Sequence, residues 1–182
     1  MADESLLRSA EQLAERLRQT GSKAVFAESC TGGLVAAVLA RIPGISDHLC
    51  GSAVVYRNAT KAEWLGVSAD DLANASIGPV SEEVAAAMAI GVLERTPEAD
   101  LAASVTGHLG PDAPPDLDGV IYVGIALRES ASRSVRIERI LRHVLTSAED
   151  GQNSAIPVRH VRHCRAAEFV LQSAAAVLSG SG

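Results

Sequence analysis

The chain opens with a helical repeat of apolar positions. Leu6, Ala10, Leu13 and Leu17 recur every three or four residues with charged residues between them, and Gly21 follows at a position typical of a helix end. This pattern predicts a first helix over residues 5–20. A similar stripe near the other end of the chain predicts a last helix, and its members are Ala167, Val170, Leu171, Ala174 and Leu178.

Between these two helices the apolar residues form short continuous runs, which are typical of buried strands. These runs lie at residues 24–27, 49–56, 101–105, 120–127 and 135–145. The last two are separated only by the polar residues 128–134, so they predict an antiparallel hairpin. The polar stretch 146–154 predicts a loop that leads into the last helix.

Helix signals lie between the strands. Residues 32–40 are small and apolar, Asn58 is placed to cap a short helix over residues 59–65, and Ser81 is placed to cap a longer helix. Helices that alternate with strands and end in a hairpin predict the α/β class. We expect a layered α/β/α fold with a mixed sheet.

The composition favours one domain with its own core. The chain has 182 residues, of which 47% are hydrophobic and 21% charged. We therefore expect a single domain over residues 1–182, with an ordered core at about 5–178.

The chain shows no signal for export or for a membrane. Its first eight residues lack the basic and apolar segments of a signal peptide, and no stretch approaches the roughly 20 apolar residues of a membrane span. The three cysteines have no CxxC spacing, which favours reduced thiols. We expect a cytoplasmic protein with no membrane partner.

The charge balance argues against a nucleic-acid partner. The formal net charge is −6, and only 3% of the residues are aromatic. Proteins that bind nucleic acid usually present a basic surface and stack bases on aromatic rings. We therefore expect a small-molecule ligand.

The most informative stretch is the turn at residues 29–33. It follows the predicted strand 24–27 and precedes the predicted helix, and strand-to-helix turns commonly carry the chemistry of α/β proteins. The turn offers two hydroxyls, one thiol and two glycines, in the order Ser29, Cys30, Thr31, Gly32 and Gly33. Free N–H groups at the helix start are expected to face an anion or an oxyanion.

Two side chains of this turn are candidate nucleophiles. Ser29 is the first, although a serine at this position is also typical of a helix cap. Cys30 is the second, because a helix start lowers the pKa of a thiol, although a small buried cysteine is the simpler explanation. The spacing of the five histidines does not identify a base for either residue.

Lysine is rare in this chain. Of the 16 basic residues only Lys23 and Lys61 are lysines, so a retained lysine is a candidate for chemistry that needs an amine. Lys61 falls near the start of the predicted helix 59–65, where the helix dipole tends to lower its pKa. An ordinary surface charge is the alternative explanation.

Two further groups of residues have open interpretations. His160, His163 and Cys164 resemble part of a metal site, but they supply too few ligands, so we expect surface histidines and no metal. Thr106 and Gly107 follow the predicted strand 101–105, where they serve equally well as ligand contacts or as plain turn residues.

Three motifs together resemble the CinA C-terminal domain family, whose members include nicotinamide-nucleotide amidases. They are the block Ala27-Glu28-Ser29-Cys30-Thr31-Gly32-Gly33, the spacing Tyr56-x-Asn58-x-x-Lys61, and the spacing Thr106-Gly107-x-x-Gly110-Pro111. The likeness extends from about residue 5 to residue 178. The first block is highly specific and the second moderately so.

The resemblance implies an enzyme that hydrolyses nicotinamide mononucleotide to nicotinate mononucleotide and ammonia, in the recycling of pyridine nucleotides. By motif position Ser29 is the nucleophile, Lys61 its base, and Tyr56 an assistant in proton transfer or orientation. Contacts to substrate are implied for Cys30, Thr31, Gly32, Gly33, Asn58, Thr106 and Gly107. The resemblance implies no metal or other cofactor, and we expect a homo-oligomer.

The sequence departs from the family pattern within the third motif and in the loop that follows it. His108 and Leu109 stand where small or aliphatic residues are common, and the loop 112–118 is rich in proline and aspartate rather than glycine. Ahead of the last helix the family carries an arginine-bearing segment, which implies an arginine that binds substrate. Three arginines compete for this position here, and we favour Arg159 over Arg162 and Arg165.

Two rival functions remain open at this stage. One is a non-catalytic nucleotide-binding or regulatory module that has kept the pocket, since a fold does not fix a function. The other is a thiol-dependent enzyme that uses Cys30.

Overall fold

The computed structural model describes residues 2–145 and 157–180. Its helices are α1 (Ala2–Thr20), α2 (Leu34–Leu39), α3 (Asn58–Leu65), α4 (Ala69–Ala73), α5 (Glu82–Glu94) and α6 (Val158–Ser179). Its strands are β1 (Ala24–Glu28), β2 (Leu49–Val54), β3 (Leu101–Gly107), β4 (Val120–Arg128) and β5 (Val135–Val144). The loop predicted at residues 146–154 lies outside the described residues.

The strands form one mixed sheet in the order β2-β1-β3-β4-β5. Strand β1 is parallel to both of its neighbours, β2 and β3, whereas β4 is antiparallel to β3 and β5. The mixed sheet and the predicted hairpin are therefore confirmed. The three parallel strands all end at the same edge of the sheet, which is where ligands commonly bind in folds of this class.

Helices cover both faces of the sheet. Alternate residues of β1 point to opposite sides, so Phe26 joins a core with α1, α2 and α6, while Val25 and Ala27 join a core with α3, α4 and α5. All three side chains are almost fully buried. The sequence prediction of a layered α/β/α fold is confirmed.

Two helix starts differ in how well they were predicted. The Ser81 hydroxyl accepts a hydrogen bond from the Val84 amide at 3.3 Å, so the predicted cap of α5 is confirmed. Asn58, predicted as a cap, is instead the first residue of α3. The reason is that Thr60 turns its hydroxyl back to the Arg57 amide at 3.3 Å, which moves the helix start one residue earlier.

The predicted helix over residues 32–40 is shorter at both ends. Gly32 and Gly33 have φ values of +57° and +99°, so both lie in a left-handed backbone conformation and cannot belong to an α-helix. Helix α2 consequently begins at Leu34, and the turn after β1 is correspondingly longer.

Within the described ranges, no helix combines the length and the apolar character needed to cross a membrane.

Candidate functional site

A cavity of about 280 Å³ opens at the edge where the parallel strands end. Its walls come from the turn after β1, the segment after β2, helix α3, the turn before α5, the end of β3 with the loop that follows, and the start of α6. The lining residues are Ser29, Cys30, Tyr56, Asn58, Lys61, Pro79, Val80, Thr106, Gly107, His108, Leu109, Gly110, Pro111 and Arg159.

Ser29 lies on the wall of this cavity directly after β1. Its amide donates to the Val105 carbonyl at 3.0 Å, which extends the pairing of β1 with β3 by one residue. The residue is buried apart from 8% of its surface. No side chain caps α2 through its N-cap residue, which is Gly33, so the alternative interpretation of Ser29 as a helix cap does not describe this turn.

The start of α2 is closed by a residue that the sequence reasoning left without a role. Glu28, the last residue of β1, is 1% exposed. Its carboxylate accepts five hydrogen bonds of 2.8–3.0 Å, from Thr31 Oγ1, from Ser52 Oγ and from the amides of Gly33, Val35 and Ala36. A carboxylate at this position also suits the helix dipole.

This arrangement corrects the prediction that the helix start faces a ligand. The Gly33 amide and the first amides of α2 are already bonded to Glu28, and the Gly32 amide donates to the Ser29 carbonyl at 3.0 Å. Neither Thr31 nor Gly33 lines the cavity. The Thr31 hydroxyl is completely buried and belongs to the Glu28 network.

Lys61 reaches the cavity from the first turn of α3. Its ammonium donates to the Pro79 carbonyl at 2.9 Å and to Thr106 Oγ1 at 3.0 Å, and the residue is 2% exposed. Among the described residues no carboxylate forms an ion pair with this ammonium. A surface position, the alternative explanation from sequence, is therefore wrong.

The pKa of Lys61 is lowered to about 8. The main cause is burial, because removing an ammonium from water disfavours its charged form, and the nearby Cys30 opposes the change only in part. The sequence reasoning expected the helix dipole to act in the same direction. Burial is the main cause instead, and the groups bonded to the ammonium, Pro79 and Thr106, are distant from Lys61 in the sequence.

Thr106 and Gly107 occupy the last two positions of β3. The Thr106 hydroxyl donates to the Pro79 carbonyl at 2.7 Å while it accepts from Lys61, so three groups from three segments converge. Gly107 packs against β4 so closely that a Cβ atom would lie 2.6 Å from the Val120 carbonyl oxygen. A side chain at position 107 would therefore displace the end of β3 from the site.

Cys30 lines the cavity, but its environment disfavours a thiolate. Burial raises the pKa of the thiol to about 12, and the charge of Lys61 offsets this only partly. A thiol with such a pKa is protonated at neutral pH and is a poor nucleophile. The structure therefore favours Ser29 over Cys30.

Tyr56 and Arg159 meet at the mouth of the cavity. Arg159 Nη2 donates to the Tyr56 hydroxyl at 3.0 Å, and Nη1 donates to the Gly110 carbonyl. Both side chains are exposed, with Tyr56 at 56%. Asn58 also lines the cavity from the first residue of α3.

The other two candidate arginines have different positions. Arg162 is buried and forms a two-pronged ion pair with Asp118 at 2.7 and 2.9 Å, through which it holds the loop after β3. Arg165 is not among the residues that line the cavity. Of the three, only Arg159 reaches the candidate site.

Two histidines that the sequence reasoning assigned to the surface border a second cavity. This cavity has a volume of about 350 Å³, and its lining includes Cys30, Gly32, Tyr56, Arg159, His160 and His163. His163 Nε2 lies 2.6 Å from the Thr31 carbonyl oxygen, which ties α6 to the turn after β1. In residues 2–145 and 157–180, no three His, Cys, Asp or Glu side chains are grouped to hold a metal ion.

The two unusual residues after β3 both face the first cavity. His108 and Leu109 lie in its wall, and Leu109 is almost fully buried. The loop 112–118 that follows is largely exposed, as expected from its sequence. The departure from the family pattern therefore changes the wall of the site as well as its surroundings.

The sequence matches the model of the CinA C-terminal domain over residues 7–148. A "CinA-like protein" of Nostoc sp. is 41% identical over 114 residues, which are 62% of this chain and 26% of that protein. A "CinA-like protein" of Myxococcus xanthus is 41% identical over 125 residues, which are 68% of this chain and 29% of that protein. The chain thus matches little more than a quarter of the length of these curated relatives.

Solved structures resemble the fold over almost the whole chain. The "competence/damage inducible protein CihA" of Agrobacterium tumefaciens is 27% identical, with a TM-score of 0.75 and coverage of 96% of both chains. The "competence damage-inducible protein A" of Klebsiella pneumoniae has a TM-score of 0.80, covers 97% of this chain and 99% of that one, and is 23% identical. The second likeness concerns the fold alone.

Proposed function

This chain belongs to the CinA C-terminal domain family, and from that premise we propose that it deamidates nicotinamide mononucleotide to nicotinate mononucleotide and ammonia. One observation carries the proposal above all others. A lysine with a pKa lowered to about 8 lines the same small cavity as a buried serine, and no carboxylate of the described residues neutralises it. A lysine can act as a general base only in its neutral form.

The hydrogen bonds of Lys61 support its role as the base. A neutral amine has two N–H groups, and two acceptors are in place for them, the Pro79 carbonyl and Thr106 Oγ1. The nitrogen lone pair is then directed away from both acceptors, which leaves it free for a proton from the cavity. Loss of a proton from Lys61 therefore requires no rearrangement of its neighbours.

The reaction proceeds in two halves. Ser29 Oγ attacks the carboxamide carbon as its proton moves to Lys61 Nζ, and the carbonyl oxygen takes up the negative charge. The Lys61 ammonium then gives this proton to the amide nitrogen, the C–N bond breaks, and ammonia leaves an ester on Ser29. Water attacks the ester with its proton going to Lys61, and Ser29 recovers a proton as nicotinate mononucleotide departs.

The developing oxyanion requires hydrogen-bond donors close to Ser29. The amides of Gly32 and Gly33 are already bonded, and Thr31 is fully buried and does not line the cavity, so the donor of the turn that remains at the cavity is the Cys30 amide. We place the oxyanion against this amide. Cys30 thereby acts through its backbone, and the chemistry of its thiol is not used.

Tyr56 and Arg159 enclose the substrate at the mouth of the cavity. Because Arg159 donates to the Tyr56 hydroxyl, the phenol oxygen is fixed in position and its own proton points elsewhere. This geometry suits a phenol that orients the carboxamide or conducts a proton. Arg159 supplies positive charge on the side from which an anionic substrate enters.

Ammonia release from nicotinamide mononucleotide tests the proposal directly. Wild type is expected to be active, Ser29→Ala and Lys61→Arg to be inactive, and Cys30→Ala to retain activity. Circular dichroism on each variant controls for loss of the fold. Activity that survives Ser29→Ala but disappears in Cys30→Ala would show a thiol enzyme instead.

A second candidate is a non-catalytic nucleotide-binding module. The observation in its favour is that the hydrogen bonds of Lys61 within the described residues go to Pro79 and Thr106, and none goes to Ser29. Binding of nicotinamide mononucleotide by wild type without any ammonia release would establish this function. Turnover that depends on both Ser29 and Lys61 would exclude it.

A further inference from the structure

Two cavities adjoin at the candidate site, and the first is small for a nucleotide. Its 280 Å³ lie just below the range of about 300–1,000 Å³ that is typical of small-molecule pockets. The second cavity, of about 350 Å³, shares Cys30, Tyr56 and Arg159 with the first. The hydrogen bond between Arg159 and Tyr56 therefore lies on the boundary between the two volumes.

The second cavity carries positive or proton-donating groups and no acidic ones. Arg159, His160 and His163 contribute to its lining, and no Asp or Glu does. Because a carbonyl oxygen can only accept, His163 Nε2 must carry the proton that it shares with Thr31. Nδ1 is then the ring atom of His163 left for a ligand, and it pairs with a phosphate oxygen either by donating when both ring nitrogens carry a proton or by accepting from a protonated phosphate oxygen.

The other candidate positions for an anion are already occupied by protein groups. The start of α2 is bonded to the Glu28 carboxylate, which would also repel a second anion. Arg162 is paired with Asp118. The ammonium of Lys61 is enclosed and bonded to two oxygens. At the second cavity, Arg159 and the two histidines beside it offer nitrogen atoms that can pair with an anion.

We propose that the second cavity is the subsite for the phosphate of the substrate, and that His160, His163 and Arg159 bind this phosphate. It accepts a phosphomonoester attached to the carboxamide-bearing part, which occupies the first cavity against Ser29. The bound substrate extends from one cavity to the other past Tyr56 and Arg159, which line both subsites. The inference rests on the function proposed above.

The kinetic test compares two substrates that differ only in the phosphate. In His160→Asn and His163→Gln, KM for nicotinamide mononucleotide is expected to rise about tenfold, because each histidine supplies one hydrogen bond to a charged group. The values of kcat and the kinetics with nicotinamide riboside, which lacks the phosphate, are expected to stay within about twofold. Glutamine at position 163 keeps a donor for the Thr31 carbonyl.

His108→Asn serves as the matched comparison, because His108 lines only the first cavity. A rise in KM for the mononucleotide in His108→Asn, with none in the other two variants, would place the phosphate on the opposite wall and overturn the proposal. An equal loss with mononucleotide and riboside in His160→Asn or His163→Gln would overturn it as well, since it would reveal a structural role.

A binding experiment separates this inference from the proposed function. Titration of the Ser29→Ala protein with nicotinamide mononucleotide, nicotinamide riboside and inorganic phosphate needs no turnover. The mononucleotide is expected to bind at least about tenfold more tightly than the riboside, and inorganic phosphate is expected to compete with the mononucleotide. His160→Asn in the same background is expected to reduce the preference for the mononucleotide about tenfold. If wild type releases no ammonia yet this preference holds, the subsite stands and the amidase proposal falls. Equal affinity for the two ligands, or no binding of either, would overturn the subsite.

Discussion

Two buried ionisable side chains lie at the same edge of the sheet, and their surroundings could hardly differ more. Glu28 ends β1 and accepts five hydrogen bonds, whereas Lys61 on α3 donates two. Both residues are at most 2% exposed. Burying a charge is costly unless neighbouring groups replace the lost water, and the two sites meet this requirement to different degrees.

The difference separates a structural charge from a chemical one. The Glu28 carboxylate bonds the first amides of α2 and stabilises the turn that carries Ser29. The Lys61 region leaves the ammonium under-compensated, so its pKa falls to about 8 and the neutral amine becomes accessible. Strongly perturbed groups of this second kind are enriched at functional sites. The number of hydrogen bonds that stabilise a buried charge therefore distinguishes these two residues, whereas their burial does not.

The largest expected effect distinguishes the two regions by activity. Lys61→Arg keeps a positive charge but cannot lose its proton, so kcat for ammonia release is expected to fall by about 10²–10⁴. The free energy of unfolding of this variant, measured in urea, indicates whether the fold survives. Substantial activity in a folded Lys61→Arg protein would remove lysine as the base and with it the contrast between the regions.

Glu28→Gln tests the structural side of the comparison. The amide nitrogen of glutamine cannot accept hydrogen bonds. If this nitrogen replaces Oε1, the Ala36 amide loses its acceptor, and if it replaces Oε2, the amides of Gly33 and Val35 lose theirs. The free energy of unfolding is expected to fall by about 3 kcal/mol. Urea denaturation gives this number.

Ser52→Ala is the matched control for Glu28→Gln, because it removes one of the five donors and leaves the carboxylate in place. Its expected cost is about 1 kcal/mol. If Glu28→Gln costs no more than Ser52→Ala, the carboxylate does not hold the turn in the way described.

The pH dependence of stability gives a third, smaller contrast. The folded-state pKa of Lys61 is lowered from 10.5 to about 8, so the unfolded chain binds more protons than the folded chain between these values, and stability rises with pH. The cost of burying the ammonium is fully present below pH 8 and is relieved above it. Between pH 7 and 9.5 the difference is about 2 kcal/mol.

Lys61→Met isolates this contribution. Unfolding free energies of wild type and Lys61→Met are compared at several pH values, and the difference between the two proteins is expected to change by the amount given above. Two curves that run parallel would mean that Lys61 is not desolvated. In wild type, kcat/KM is expected to rise with pH through the same apparent pKa of about 8, because the base must be neutral.

The smallest expected effect concerns Thr106, which touches Lys61 but not Glu28. Thr106→Val removes one acceptor of the amine and is expected to reduce kcat about tenfold. The pH–rate profile is expected to shift to lower pH, since the charged form of Lys61 loses a hydrogen bond. Thr106→Ser restores the hydroxyl and serves as the rescue variant; a profile unchanged in Thr106→Val would show that the contact does not position the base.

The fold was accessible from sequence because its signals are local. The stripe of α1, the apolar runs of β1 and β3, and the hairpin of β4 and β5 each repeat over a few residues. The predicted start of a helix was wrong where a side chain makes a local hydrogen bond that the sequence pattern does not indicate, as Thr60 does at the start of α3. The shortened α2 follows from two glycines whose left-handed conformation could have been anticipated.

The site was only partly accessible, because its decisive contacts join distant positions. The residues themselves made Ser29 and Lys61 candidates, whereas Tyr56 was identified only through the motif resemblance. All three line one cavity, but their catalytic roles remain predictions. The role of Glu28 depends on Ser52 from the neighbouring strand, and that of His163 on Thr31, which is 132 residues away. No local pattern reveals such pairs. The acidic residue directly before the turn was the one signal that could have warned of a closed helix start.

The attachment of α6 has a consequence for when the site comes into being. Through Arg159, Arg162 and His163 this helix holds the loop after β3 and the turn after β1, the two segments that carry Gly110 and Thr31. Helix α6 follows strands β1 to β5 in the chain, and domains generally fold as units during synthesis. A growing chain that has completed strands β1 to β5 still lacks these contacts of α6. The candidate site is thus completed only after α6 has been synthesised and has packed against the sheet.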